Sequence, residues 1–220
     1  MKILNIFKKL ILENEIPLDE EYPLSWSIEE FKKLRNFSQR VKYCETHLKR
    51  ISSGSGRIAY KIDEEKVLKL AKNEKGVSQN QAEIQQSDDY YLQPILANVF
   101  EYDENGLWVE MELARKLTAG DFKRLVGFNF KDYAELLHNH GVVANLGRGF
   151  KYSIDKELSD AMWDNDFISS ILDYIGSWGV PSGDLERLNT YGIVKRDGKD
   201  TIVIVDYGLT EEVLNKHYKR

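Results

Sequence analysis

The stretch SGDLERLN, residues 182–189, sets an aspartate, Asp184, five positions ahead of an asparagine, Asn189. Alone it reads as a turn or a helix start, because aspartates cap helices and Leu185 and Glu186 could continue one. The residues that follow sharpen it. YGIVK (191–195) and TIVIV (201–205) read as two strands around Arg-Asp-Gly-Lys, whose Asp197-Gly198 is a hairpin turn. The second strand runs into Asp206, Tyr207 and Gly208. The hairpin thus returns a second carboxylate beside the first loop, and two carboxylates with an amide are hard oxygen donors suited to Mg²⁺.

Reading outward toward the N-terminus, the other polar candidates stand far away in sequence. SSGSGRIAYKI (52–62) places Gly54, Ser55 and Gly56 between the strands KRIS (49–52) and RIAYKI (57–62). Glycines let backbone N–H groups approach an anion, though a flexible turn explains them equally well. No G-K-[ST] follows, so this is not a Walker loop. In VLKLA (67–71), alternation puts Val67, Lys69 and Ala71 on one strand face. A lysine among apolar strand residues needs an anion, unless the strand is an edge facing water. Glu83, in the helical NQAEIQQ (80–86), is the nearest carboxylate that a packed helix could supply; a solvated helix face is its bland alternative.

The remaining pattern completes an α+β outline. A helix is expected over 77–90, then strands in PILANVFEYD (94–103) and LWVEMEL (107–113) joined at Glu-Asn-Gly. The N-terminal half therefore reads βββαββ. Beyond 117 the chain reads as mostly helical: 131–140, a loop over 141–154, one strong helix over 155–178, and a last helix over 210–219. A helix over 28–48 capped by Ser27 precedes the strands. Before it come a polar loop (13–27) and a short amphipathic helix with Ile3, Leu4, Phe7, Leu10 and Ile11 on one face.

Read in order, a glycine loop, a strand lysine, a helix glutamate, D-x-x-x-x-N and D-Y-G resemble the protein-kinase-like fold. The resemblance covers roughly residues 49–210. It implies a two-lobe α+β protein: an N-terminal helical extension (1–48), a five-stranded antiparallel small lobe with one helix (49–116), and a reduced helical large lobe (117–220). It implies ATP and Mg²⁺ as cofactors. Gly54, Ser55 and Gly56 would cover the phosphates, and Lys69, braced by Glu83, would hold the α- and β-phosphates. Asn189 and Asp206 would bind Mg²⁺, and Asp184 would orient or deprotonate the acceptor hydroxyl. Val67 and Met111 would line the adenine pocket, with the backbone near Glu112 and Ala114 reading the adenine edge. The departures are specific. Ala59 stands at the third glycine, and Ser182-Gly183 stand where the family has His-Arg. "GDLERLN" also resembles the G-D-x-x-x-x-N loop of aminoglycoside and choline phosphotransferases. Only twelve residues follow Gly208, which leaves no room for an activation segment or peptide-binding helices. Compact kinase-like proteins of tailed bacteriophages are similar in this respect.

Composition sets the context. The 220 residues are 42% hydrophobic and 30% charged, a balance that supports a core, and the net charge of −5 gives no overall basic surface for nucleic acid. One cysteine, Cys44, allows no disulfide within the chain, so a reducing, cytoplasmic setting is expected. Cys44 itself reads as a packed thiol rather than a nucleophile. His138 and His140 diverge by about 200° on a helix, which argues against a shared metal. The expected partners are a nucleotide and an acceptor, of which protein is one class; no membrane span is expected.

Overall fold

The computed structural model describes residues 26–146 and 154–218. The expected N-terminal amphipathic helix and most of the loops expected over 13–27 and 141–154 lie outside the described residues. The chain divides into two compact units, Met1–Lys49 and Arg50–Arg220.

In the first unit, helices α1 (Ile28–Lys32) and α2 (Phe37–His47) replace the single helix expected over 28–48. Asn36 causes the break: it sits in an extended conformation and its side chain accepts from Gln39 N at 2.9 Å, capping a new helix. Ser27 caps α1 as expected, accepting from Glu30 N. Trp26, Phe31 and Tyr43 close the unit, with ring centroids 5.4–6.4 Å apart. Cys44 is fully buried, and burial, aided by the Glu45 charge, pushes its thiol up to about 12. We therefore expect no reaction with a thiol reagent at pH 8 until denaturant is added. Stoichiometric labelling of the native protein would contradict this packing.

The second unit is built on a five-stranded antiparallel sheet of order β1-β2-β3-β5-β4. Its strands are β1 (Lys49–Ser53), β2 (Arg57–Lys61), β3 (Lys66–Ala71), β4 (Val99–Tyr102) and β5 (Trp108–Glu112). Helix α3 (Glu74–Ser87) joins β3 to β4, so the βββαββ order is present. β3 is central, not an edge, which fits its near-continuous apolar run. The expected strand at 94–103 is shorter than its apolar run. Pro94 lacks a donor, and the segment after it pairs with a later strand instead: Ile204 N donates to Ile95 O at 2.7 Å and Ala97 N to Ile204 O at 3.0 Å.

A second sheet contains β6 (Arg115–Lys116), β7 (Tyr191–Arg196) and β8 (Lys199–Ile204). The β7–β8 turn places both Asp197 (φ 51°) and Gly198 (φ 75°) in the left-handed region, the requirement of a tight primed turn. The helices of this half are α4 (Ala119–Val126), α5 (Phe130–Leu146), α6 (Lys156–Trp163), α7 (Asp166–Trp178), α8 (Ser182–Leu185) and α9 (Glu211–His217); α4 packs on β8 and α9 on α3. The sequence reading does not single out α4, although Thr118 and Asp121 form its capping box. The helix expected over 155–178 is two. Asn165 caps α7 by accepting from Ile168 N at 3.1 Å, a break that continuous apolar periodicity concealed. α5 runs beyond 140 because Gly141 is a packing residue rather than a breaker: a Cβ there would lie 2.3 Å from Ser182 Oγ. The core is aromatic at its centre. Phe122, Phe130, Tyr133, Phe167 and Tyr191 stack with centroids 5.0–6.4 Å apart.

Glycine also decides how α3 meets the β1–β2 turn. A Cβ on Gly76 would lie 2.1 Å from Gly56 O, a backbone atom that cannot swing aside. Gly76→Ala is expected to destabilise by about 1–3 kcal/mol, the range for overpacking a tight contact. Urea unfolding measures it, and a neutral result would mean the turn and helix are further apart than described.

Candidate functional site

The site grows from β3. Ala59 lies opposite Lys69 in the β2–β3 ladder, and Val109 lies opposite it from β5, so the lysine sits in the middle of the sheet. An ammonium there must be compensated, and it is. Lys69 Nζ lies 2.7 Å from Glu83 Oε1 and donates to Val205 O at 2.8 Å. Glu83 is fully buried on α3. Its second oxygen, Oε2, accepts from Arg57 Nη1 at 2.7 Å. The other arm of that guanidinium, Nη2, donates to Asp206 Oδ1, and Nη1 also reaches Asn80 Oδ1 at 3.3 Å. Four charges from β2, β3, α3 and the end of β8 thus form one linked cluster.

Each shift follows from this linkage. Burial pulls the Lys69 ammonium below its ordinary value, with Glu83 opposing and the Arg57 charge assisting. Arg57 resists its own burial because Glu83 and Asp206 hold it charged, so its pKa lies above the ordinary range. For Asp206, desolvation raises the pKa, but Arg57 and Lys69 outweigh it and the net direction is down. The Asp206 link therefore contributes above the ordinary carboxylate pKa and is lost as pH falls through the depressed value.

Asp206 reaches α3 through its neighbours. Tyr207 Oη donates to Ala97 O at 2.8 Å, and Tyr207 O accepts from Gln86 Nε2 at 3.0 Å. Gly208 lies so close to α3 that a Cβ would meet Gln79 O at 2.5 Å. The glycine of Asp-Tyr-Gly is thus a steric requirement for bringing β8 against the helix.

The stretch 182–189 folds as α8 and a 3-10 turn, Leu188–Thr190. Thr190 Oγ1 donates to Asp184 O at 2.6 Å, and Tyr191 Oη to Leu185 O at 2.9 Å. Tyr191 also meets Tyr133, with hydroxyls 2.6 Å apart in the core. Burial raises both phenols, so they stay neutral donors. The Asp184 carboxylate has Arg187 Nη1 at 3.4 Å. Thr190→Val is expected to lower stability by about 0.5–1.5 kcal/mol, because it removes the shortest hydrogen bond to the Asp184 carbonyl and leaves it the longer one from Arg187 N at 3.3 Å. Equality with wild type in chemical denaturation would show that the loop holds itself.

Asp184, Asn189 and Asp206 line one cavity of about 280 Å³, together with Gln79, Arg187, Thr190, Leu209 and Tyr218. The structure therefore links the two ends of the sequence reading: buried contacts run from Lys69 and Glu83 through Arg57 to Asp206, and Asp206 shares its cavity with Asp184 and Asn189. Gly54, Ser55 and Gly56 lie against the start of α3. Lys72 Nζ donates to Gly54 O at 2.9 Å, Asn73 Nδ2 to Ser55 O at 3.0 Å, and Lys75 Nζ to Ser55 Oγ at 2.9 Å. Val67 and Met111 face each other across β3 and β5 and are buried in the core. Glu112 Oε2 accepts from Arg196 Nη2 at 2.6 Å, and Ala114 packs where β6 crosses Gly192. His138 meets Glu186 at 3.4 Å while His140 packs on Trp163, so the two diverge as expected. Among the described residues, no group of three His, Cys, Asp or Glu could hold a metal unaided.

Arg57 is the site residue that sequence reasoning missed. Its signal is positional: Arg57 and Ala59 share a strand face, and Ala59 stands opposite Lys69, so Arg57 is one diagonal step from the lysine. The Val205 carbonyl carries no sequence signal at all.

A central-strand lysine is paired to the glutamate of the helix after it, the arrangement that the resemblance to the protein-kinase-like fold implies, and Arg57 joins that pair to an aspartate at the end of a late hairpin. No family model matches the chain, and no curated protein matches it in sequence. Solved structures similar to it include a ternary complex of streptomycin, ATP and APH(2")-IIa, at 12% identity and TM-score 0.37, covering 80% of this chain and 72% of that one. Another is the ADP-bound aminoglycoside phosphotransferase APH(2'')-Ib, at 14% identity and TM-score 0.33, covering 74% and 65%. A third is the GDP complex of wild-type aminoglycoside 2'-phosphotransferase-IIIa, at 11% identity and TM-score 0.35, covering 73% and 66%. The chain thus spans about two thirds of the length of the last two.

Proposed function

We propose that this protein binds ATP between a small lobe (49–116) and a reduced large lobe (117–220) and transfers its γ-phosphate to an acceptor hydroxyl. The single observation that carries the reading is the shared cavity: Asp184, Asn189 and Asp206 line it, and Asp206 is tied through Arg57 to the Lys69–Glu83 pair. Lys69 would hold the α- and β-phosphates, oriented by Glu83. Gly54, Ser55 and Gly56 would lie over the phosphates, Val67 and Met111 beside the adenine, and the backbone at Glu112 and Ala114 along its edge. Asp184 would take the acceptor proton as the bond from oxygen to phosphorus forms.

Mg²⁺ fits the donor set. The Asp206 side chain keeps 62% of its surface exposed and faces the cavity with the Asn189 amide. Mg²⁺ takes one or two protein oxygens plus phosphates and waters, so no larger protein cage is needed. Asn189 and Asp206 would hold the ion, which would supply charge neutralisation on the phosphates.

A second reading has its own observation. Lys69 is satisfied by Glu83 and Val205 O, and Asp206 by Arg57, so the charges neutralise one another inside the protein. That favours a kinase-shaped adaptor or inhibitor acting on a partner. Incubation with labelled ATP and Mg²⁺, alone and with candidate acceptors, separates the two. Transfer that disappears in Asp184→Ala supports the enzyme. A nucleotide-dependent melting shift without transfer supports the adaptor. Neither signal would sink both.

A further inference from the structure

Arg57 stands between the two halves of the site and does a job that neither reading assigns. We propose that Arg57 and a divalent cation are alternative counter-ions of Asp206, so that Arg57 keeps metal off the free protein and nucleotide phosphates exchange the one for the other.

The geometry fixes the guanidinium firmly at its root. Its side chain is 10% exposed, and Nη1 is held by Glu83 Oε2 and Asn80 Oδ1 at 2.7 and 3.3 Å. Asn80 is anchored in turn, since its Nδ2 donates to Gly106 O at 2.9 Å. Only Nη2 extends to Asp206, on the cavity side. The free cluster is already balanced: Lys69 and Arg57 against Glu83 and Asp206. A divalent ion at Asp206 would face two neighbouring cations, and Asp184, the other carboxylate of the cavity, already has Arg187 at 3.4 Å. Charge, rather than bulk, excludes it.

A triphosphate changes the balance. It brings several negative oxygens, and a guanidinium binds phosphate through paired N–H groups at least as well as it binds carboxylate. Arg57 directly follows Gly56, at the edge of the turn that would lie over the phosphates, so Nη2 would give up Asp206 for a phosphate oxygen while Nη1 stays on Glu83. Asp206 is then released to the metal. Nucleotide loading precedes metal loading, and the order is set by one residue. The nucleotide arm of this proposal rests on the reading above; the metal arm does not.

Mn²⁺ titration of the full chain, followed by the electron paramagnetic resonance signal of free Mn²⁺, tests it without turnover. In wild type, Asp206→Asn should change Mn²⁺ affinity less than about twofold, because Asp206 is already engaged. Arg57→Met, which keeps the side chain's length, should raise the affinity about tenfold or more, as expected for removing a cation in contact at an effective dielectric of roughly 20. Asp206→Asn placed on Arg57→Met should abolish the gain. Arg187→Met removes a cation from the same cavity but not from Asp206, and should act less than about twofold by the same reasoning. No gain in Arg57→Met, or an equal gain in Arg187→Met, overturns the proposal. So does tight Mn²⁺ binding by wild type that Asp206→Asn removes. If Arg57→Met fails to fold, Arg57→Lys serves: its point charge cannot span Glu83 and Asp206 together, and an intermediate gain is expected. A non-hydrolysable ATP analogue should raise wild-type Mn²⁺ affinity toward that of Arg57→Met. An analogue that binds without that rise overturns the exchange. An analogue that does not bind sinks the nucleotide reading, while the metal titrations still decide the role of Arg57.

Discussion

Glu83→Gln lowers the free energy of unfolding by about 3–5 kcal/mol, the range for breaking a buried ion pair and leaving its partner uncompensated. Glu83 has no exposed surface and accepts from two cations at 2.7 Å, Lys69 and Arg57. Glutamine keeps the shape and one acceptor oxygen but removes the charge that both cations face. Two buried positive charges then confront each other with only Asp206, which is largely exposed, to offset them. Lys69→Met should cost less, because Glu83 keeps Arg57. The pH dependence has a definite sign. Burial already holds Lys69 below its ordinary 10.5, and loss of Glu83 removes the interaction that raises it. A lysine with a depressed folded pKa destabilises the fold fully below that value, and the penalty is relieved as pH rises toward 10.5. The deficit of Glu83→Gln relative to wild type should therefore shrink between pH 7 and a pH just below that value. Urea denaturation at the two pH values checks both statements. A loss under about 1 kcal/mol at neutral pH would mean the pair is not the buried, water-excluded contact that drives such costs.

The same cluster shows how far the sequence could be read. Lys69 and Glu83 were legible only together: alternation in VLKLA sets an ammonium among apolar residues, an edge strand explains that equally well, and the order of motifs in the resemblance supplied the pairing. The β7–β8 hairpin was legible because Asp197-Gly198 is a local turn signal, and it delivers Asp206 wherever the sheet happens to lie. Arg57 was not legible, since its reach depends on the β2–β3 register and on a carboxylate 149 residues away. β4 was expected within 94–103 but not its short length, for a similar reason. Its apolar run is used twice, once in the first sheet and once against Ile204, and a sequence pattern does not say which neighbour a buried segment will meet. Helix breaks at Asn36 and Asn165 were hidden by apolar spacing that continues across them, although each is an asparagine of the type that caps helices. Local chemistry was recoverable; long-range register was not.

On the proposed function, Asp184→Ala should reduce phosphoryl transfer by about 10²–10⁴-fold while leaving nucleotide affinity within about twofold, the range for loss of a positioned general base. The argument is one of position. Thr190 and Tyr191 grip the backbone carbonyls of Asp184 and Leu185, so the carboxylate is presented from a fixed turn into the cavity that also holds Asn189 and Asp206. Among the described residues its charge partner is Arg187 at 3.4 Å, on a side chain two-thirds exposed, a contact that an incoming hydroxyl can displace. On that reading, removing a group that acts on the acceptor would leave the proposed nucleotide contacts, at Lys69 and the glycine turn, intact. Asp206→Asn should behave differently, weakening metal and nucleotide together, because that carboxylate is proposed to hold the metal beside the phosphates rather than to meet the acceptor. Single-turnover transfer with labelled ATP, measured beside equilibrium binding of an analogue, resolves the two patterns. Full transfer by Asp184→Ala would remove it from the chemistry and leave its conformation as a matter of loop architecture alone.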